Sequence, residues 1–211
     1  MPDLQTLALF VAAALLLLIV PGPAVLYVVA RTIDQGRLAG FVSILGISLG
    51  TLAHVAAAAF GVSAILASSA VAFNVMKYLG AAYLIVLGIR KLMERDDAER
   101  PVIVERQKLG RIFWQGAVVN LLNPKTALFF FAFLPQFVDV DRGAIASQIL
   151  FLGAVFVVLA VLSDGLWALL ADAVAGWVTG SKRFLKAQRV FAGGTFIALG
   201  VATAFSGARS K

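Results

Sequence analysis

Long apolar stretches alternate with short polar ones along this chain, and six apolar runs stand out. They span Leu4 to Ala30, Leu38 to Ala67, Val71 to Leu92, Ile112 to Val138, Ile145 to Val178 and Phe184 to Ser206. Each is at least as long as the roughly 20 residues a helix needs to cross the hydrocarbon core of a bilayer. Helices are the expected spanning form, because lipid offers backbone N–H and C=O groups no partner and a helix pairs them within its own segment. The in–out alternation of a barrel strand is absent. The pattern predicts an all-α membrane protein of about six transmembrane helices, folded as one transmembrane domain over residues 1–211.

Composition strengthens that reading. The chain is 61% hydrophobic and 14% charged, against about half and a quarter in a soluble domain. No stretch remains for a separate soluble domain. The net charge of +7 would suggest nucleic acid in a soluble protein, but here the basic residues gather between the apolar runs. Thirteen of the 18 Lys and Arg fall on one side of a six-span topology: Arg31 and Arg37, then seven from Arg90 to Arg111, then four from Lys182 to Arg189. Arg142, Arg209, Lys211 and Lys77 fall on the other. The positive-inside rule makes the first side cytoplasmic and both termini non-cytoplasmic. Residues 93–111 become a charged cytoplasmic loop, and no basic surface is left for nucleic acid. The first run has no basic residue ahead of it and exceeds a signal-peptide core, so it reads as a retained helix.

Cysteine is absent and histidine occurs once. That excludes disulfides, thiolate zinc sites and cysteine nucleophiles. Neither a Gly-rich phosphate loop nor a metal-ligand cluster appears, nor a nucleophile–base set. The expectation is therefore a non-enzyme without cofactor or metal, and ATP is not its expected energy source.

The two halves of the chain resemble each other weakly, at a level two Gly-rich apolar helices could also reach by chance. Ile85, Leu87 and Gly88 match Ile197, Leu199 and Gly200 at a constant offset of 112. The first run of each half carries a proline interruption, Pro21-Gly22-Pro23 in one and Asn123-Pro124-Lys125 in the other. Two halves of three spans each must have opposite topology. That gives two inverted three-helix repeats, about 4–92 and 112–206, with a site expected at the midplane between broken helices.

The polar residues inside the runs are the candidate chemistry. Pro21 and Pro23 remove two backbone donors and Gly22 frees the backbone between them, so carbonyls around Leu17 and Ile19 lose helical partners. A simple kink would have the same sequence. Asn120, Asn123, Pro124 and Lys125 form the second break. A lysine in mid-run is costly unless it faces a cavity or a carboxylate. Asp164, in the fifth run, suits a proton relay or an ammonium site. Asp172 lies further along and is read as interfacial. His54 follows Gly46 and Gly50 at steps of four, a spacing for close helix packing. It reads as a buried packing histidine, with a proton relay as the alternative.

Four segments together resemble the LysE/RhtB family of amino-acid exporters, of the lysine-exporter and homoserine–threonine-efflux type. They are Val20-Pro21-Gly22-Pro23, Asn120-Leu121-Leu122-Asn123-Pro124-Lys125-Thr126-Ala127, Phe133-Leu134-Pro135-Gln136-Phe137, and Gly80-Ala81-Ala82-Tyr83-Leu84 with Leu87-Gly88. The resemblance implies a bacterial inner-membrane exporter of amino acids or their derivatives, driven by the proton motive force. Expected partners are an amino-acid-like small molecule, protons and the lipid bilayer, with room for a homo-oligomer. Asn120, Asn123 and freed backbone groups would hold the substrate. Asp164 would carry the proton or hold the substrate's ammonium, with Lys125 as counter-charge. A passive facilitator or channel on the same scaffold is the alternative.

Overall fold

A computed structural model describes residues 2–62, 70–93, 106–171 and 182–205. All regular structure among them is helical. Helix α1 spans Leu4–Ile19, α2 Pro23–Gln35, α3 Arg37–Ala57 and α4 Ala70–Met93. Helix α5 spans Leu109–Leu121, α6 Pro124–Leu128, α7 Ile145–Leu169 and α8 Lys182–Phe205. A π turn, Ala58–Val62, extends α3. A second π turn, Phe129–Phe133, and a 3-10 turn, Leu134–Phe137, extend α6. The end of the second run, most of the charged loop and the ends of the fifth and sixth runs lie outside the described residues.

Local chemistry sets the helix ends. The Asp3 side chain accepts from the Thr6 N–H at 2.8 Å and caps α1, a contact that holds its carboxyl below the usual range. Pro23 and Pro124 each open a helix at the first position, where a missing N–H costs nothing. Gly36, at φ +84°, ends α2 and starts α3. That left-handed conformation suits glycine and turns the chain back within one residue.

Both proline interruptions break their helices. The axis bends by 52° between α1 and α2 and by 49° between α5 and the segment from Pro124 to Phe137. Residues 37–61 and 145–169 are each long and apolar enough to cross a membrane unbroken. With each bent pair counted as one span, up to four crossing segments lie among the described residues. The third and sixth runs form α4 and α8, which pack on each other.

Two glycine-mediated crossings hold the bundle. On α3, Gly46 lies against the Phe113 carbonyl and Gly50 against that of Ala117, 2.7 Å from where its Cβ would stand. Gly116 of α5 meets the Ser43 carbonyl in return, at 2.9 Å. The close packing expected of the Gly46–Gly50 face is thus present. At the second crossing a Cβ on Gly88 would stand 2.7 Å from the Gly193 carbonyl and from Ile197 Cγ1. A Cβ on Gly200 would stand 2.8 Å from the Ala81 carbonyl and 2.7 Å from Ile85 Cγ1. Shifting each residue by 112 converts one contact set into the other, and the pairing runs antiparallel.

Both ends of the bundle are recognisable. The Gln35 side-chain amide donates to the Gln107 carbonyl and accepts from the Gln107 backbone N–H, which brings the α2–α3 turn and the start of α5 to one end. Arg37, Arg106, Lys108 and Arg111 lie there. At the other end Asp3 feels the charge of Arg142. There Gln148 donates to the carbonyls of Asp139 and Gly143, both at 2.8 Å.

Candidate functional site

The two helix breaks meet. Lys125 follows the second break, yet its Nζ donates to the carbonyl of Val20, at the first, over 2.6 Å. The carbonyl that takes the lysine is therefore the one next to Pro21, one residue beyond those singled out by sequence. On the way the lysine stem passes Gly22, where a Cβ would stand 3.3 Å from Cδ and 3.6 Å from Nζ. Glycine at 22 eases this close approach to a flexible stem, while its own dihedral is extended at φ −114°.

Behind the breaks lies a saturated amide network. Asn120 Nδ2 donates to the Ile47 carbonyl at 2.9 Å and to Thr51 Oγ1 at 2.8 Å. Its Oδ1 accepts from Thr126 Oγ1 at 2.9 Å and, more weakly, from Asn123 Nδ2 at 3.4 Å. Both amide hydrogens of Asn120 are thus consumed inside the protein. Asn123 caps α6, its Oδ1 accepting from the Lys125 N–H at 3.1 Å. His54 sits 3.1 Å from the Asn120 carbonyl through Nε2, which must carry the proton to donate there. Its ring stacks at 5° on Phe130.

These groups surround one cavity. Gly22, Asn120, Asn123, Lys125 and Asp164 line it, with Thr51, Thr126 and apolar residues of α1, α2, α3 and α7. His54 does not, so its place is behind the wall. Asp164 enters from α7 and is 4% exposed. Its carboxylate has no hydrogen bond from any described residue and senses the charge of Lys125. The two do not form an ion pair within 4 Å. The cavity measures about 30 Å³, room for about two water molecules and too little for an amino acid.

Apolar packing lies on both sides of the cavity. Towards the N-terminal end stand Phe10, Phe129, Phe130, Phe133 and Phe156, all buried in one cluster with α1 and α7 aliphatics. Towards the basic end the seal is thinner, made of Val28, Ile44, Ile47 and Ala168 with Val25, Val29 and Ala171 beside them. A polar clasp between α2 and α5 covers it. The Tyr27 hydroxyl donates to the Ile112 carbonyl at 2.9 Å, and Arg31 donates to Gln115 Oε1 at 3.1 Å.

A sequence profile of LysE type translocators matches residues 15–207. The chain belongs to the LysE type translocator family. It is 31% identical, over 96% of its length and 100% of the relative's, to the uncharacterized membrane protein YrhP of Bacillus subtilis (strain 168). It is 30% identical, over 90% of its length and 92% of theirs, to the homoserine/homoserine lactone efflux proteins of Salmonella typhi and Salmonella typhimurium. No solved structure matches. The protein is thus a multi-pass membrane translocator.

In this LysE type translocator the expected residues Pro21, Gly22, Pro23, Asn120, Asn123, Pro124, Lys125 and Asp164 converge at the breaks and the cavity. Asp172 lies outside the described residues. Arg31 differs from its reading as a loop charge: it is 5% exposed and lies over the Tyr27 ring at 5.4 Å. Its place at the edge of an apolar run disguised it. Thr51 was overlooked, although it shares the Gly50–His54 stretch, and so was Gln115.

Proposed function

We propose that this translocator is a proton-coupled secondary exporter of amino acids or their derivatives in the bacterial inner membrane. The observation that carries the reading is the meeting of both helix breaks with Lys125 and Asp164 at one buried central cavity. A zwitterion needs an anion for its ammonium and a positive field for its carboxylate in a place shielded from lipid; Asp164 supplies the first and the start of α2 the second. Relatives that are named for homoserine efflux support the same substrate class.

The first turn of α2 begins at the cavity. Its leading N–H groups have no carbonyl one turn back within the helix, and the helix dipole favours a carboxylate there. Asn123 keeps an amide hydrogen for the same group. Asp164 holds the substrate's ammonium and takes a proton when the substrate has left. Asn120, with its hydrogens consumed, braces the second break and does not itself bind substrate.

Alternating access follows from rocking of residues 4–92 against 112–206. The exchangeable contact sets of Gly88 and Gly200 support an inverted repeat, because antiparallel helices related in this way imply a twofold axis across them. They also support six spans, with α4 and α8 as the third and sixth. The shared end of Arg37, Arg106 and Lys108 supports a cytoplasmic basic face and non-cytoplasmic termini.

Proteoliposomes with an imposed proton gradient test the reading. Homoserine should accumulate against its own gradient and cease to do so when the proton gradient is collapsed. Equilibration without accumulation would establish a facilitator instead. Asp164→Asn should abolish accumulation, and full gradient-driven transport by that variant would remove Asp164 from its role.

A further inference from the structure

Lys125 is placed oddly for a counter-charge. Its ammonium carries three donors, and among the described residues only one is used, on the Val20 carbonyl. That carbonyl is spare because the chain is extended at Val20, with ψ at 111°. The Asp164 carboxylate lines the same cavity without a hydrogen bond from any described residue. A primary ammonium, a backbone carbonyl and an unbonded carboxylate are thus gathered at the place where no substrate fits. The lysine stem across Gly22 is itself part of what fills the space.

We infer that the Lys125 ammonium holds the subsite of the substrate's own α-ammonium, formed by the Val20 carbonyl and Asp164, so that lysine and substrate exclude each other. This rests on the amino-acid reading above and gives it a direction. The substrate's cationic end replaces the lysine at the first break, and its carboxylate lies towards the start of α2. Two ammonium groups cannot share one carbonyl, since the like charges repel in a site with little water. Lys125 therefore leaves before the substrate is seated and returns after release. The return closes the empty cavity, so the unloaded carrier does not leak. Among the described residues, Asp164 on α7 is the only other ionisable group lining the cavity. His54 on α3 stays behind Asn120, and α1, α2 and α5 contribute no ionisable group to the lining.

The test uses the full chain in lipid nanodiscs with two probes, n-propylammonium and homoserine. Lys125→Ala vacates the subsite, so n-propylammonium should raise the melting temperature of this variant and leave the wild type unmoved. In Lys125→Ala the same ion should compete with homoserine, whose affinity should be at least tenfold above wild type. Lys125→Met keeps the stem over Gly22 and removes only the ammonium. It should bind homoserine at least as tightly as wild type and should leak homoserine down its gradient. Loss of homoserine binding in a folded Lys125→Met protein, or no response of Lys125→Ala to n-propylammonium, would overturn the proposal. Binding of n-propylammonium without any homoserine binding would keep the subsite and remove the substrate reading, so the two failures are distinct.

Discussion

At the scale of single residues, the buried polar groups divide into those that are bonded within the protein and those that face the cavity. Asn120 belongs to the first kind. Asn120→Ala takes the acceptor from the Thr126 hydroxyl and the bracing amide from Thr51 and the Ile47 carbonyl, which still bond each other, and a buried group left unpaired costs about 1–3 kcal/mol. The variant should lose on the order of 3 kcal/mol, read as a lower unfolding midpoint in detergent. Asp164 belongs to the second kind. Asp164→Asn is isosteric and removes no hydrogen bond, so stability should change by less than about 1 kcal/mol while accumulation is lost. Equal stability losses in the two variants would collapse the distinction. The sequence made both residues visible, since an amide or a carboxylate inside an apolar run is costly without a partner. It could not say which was satisfied. The groups that accept from Asn120 Nδ2 lie on α3, some seventy positions away. Arg31 failed for the opposite reason, because a charge at a run's edge looks solvated when its partner is a distant glutamine.

Among elements, the glycines decide which helices touch. Gly46 and Gly50 press on backbone carbonyls of α5, which cannot rotate away as a side chain would. Gly50→Val should therefore cost about 1–3 kcal/mol or more, the usual range for overpacking, and should separate α3 from α5. Gly165 is the contrast. It lies within α7 with nothing near its missing Cβ, so Gly165→Ala should be neutral or stabilise the helix by about 0.5–1 kcal/mol. Thermal unfolding of the two variants side by side checks both signs. Gly22 stands between these cases, because its neighbour is the flexible stem of Lys125. Gly22→Ala should fold normally, displace the lysine by a few tenths of an ångström and slow transport. The breaks themselves were legible, since proline cannot continue a helix without losing a bond. The π turns after Ala57 and Leu128 were not. No proline or glycine opens them, and the second lies within a cluster of rings whose packing is tertiary.

For the whole molecule, the small cavity and the unequal packing at its two ends set the last expectation. Six apolar runs were enough to read a membrane bundle, but hydropathy carries no information about which side is thinner. The aromatic seal joins α1, α7 and the extension of α6 by ring-on-ring packing, with Phe129 and Phe156 at 4.5 Å between centroids. At the basic end two smaller aliphatic clusters, flanked by Tyr27 and Trp167, and a few hydrogen bonds do the same task. Hydrogen bonds exchange with water at a net difference of only about 0.5–1.5 kcal/mol each, so this end separates more readily. Opening there requires α2 and α5 to part, and Gln35 with Gln107 marks the seam. The chain contains no cysteine, so Gln35→Cys with Gln107→Cys introduces the only two thiols. A short, reducible thiol cross-linker on this pair should hold the basic end shut. Homoserine transport in proteoliposomes should fall in proportion to the cross-linked fraction and return on reduction. Either single-cysteine variant, treated in the same way, should transport normally. If the fully cross-linked protein worked at the unmodified rate, α2 and α5 would not part during the cycle. The moving seam would then lie at the aromatic end, and the thin seal would be a fixed wall.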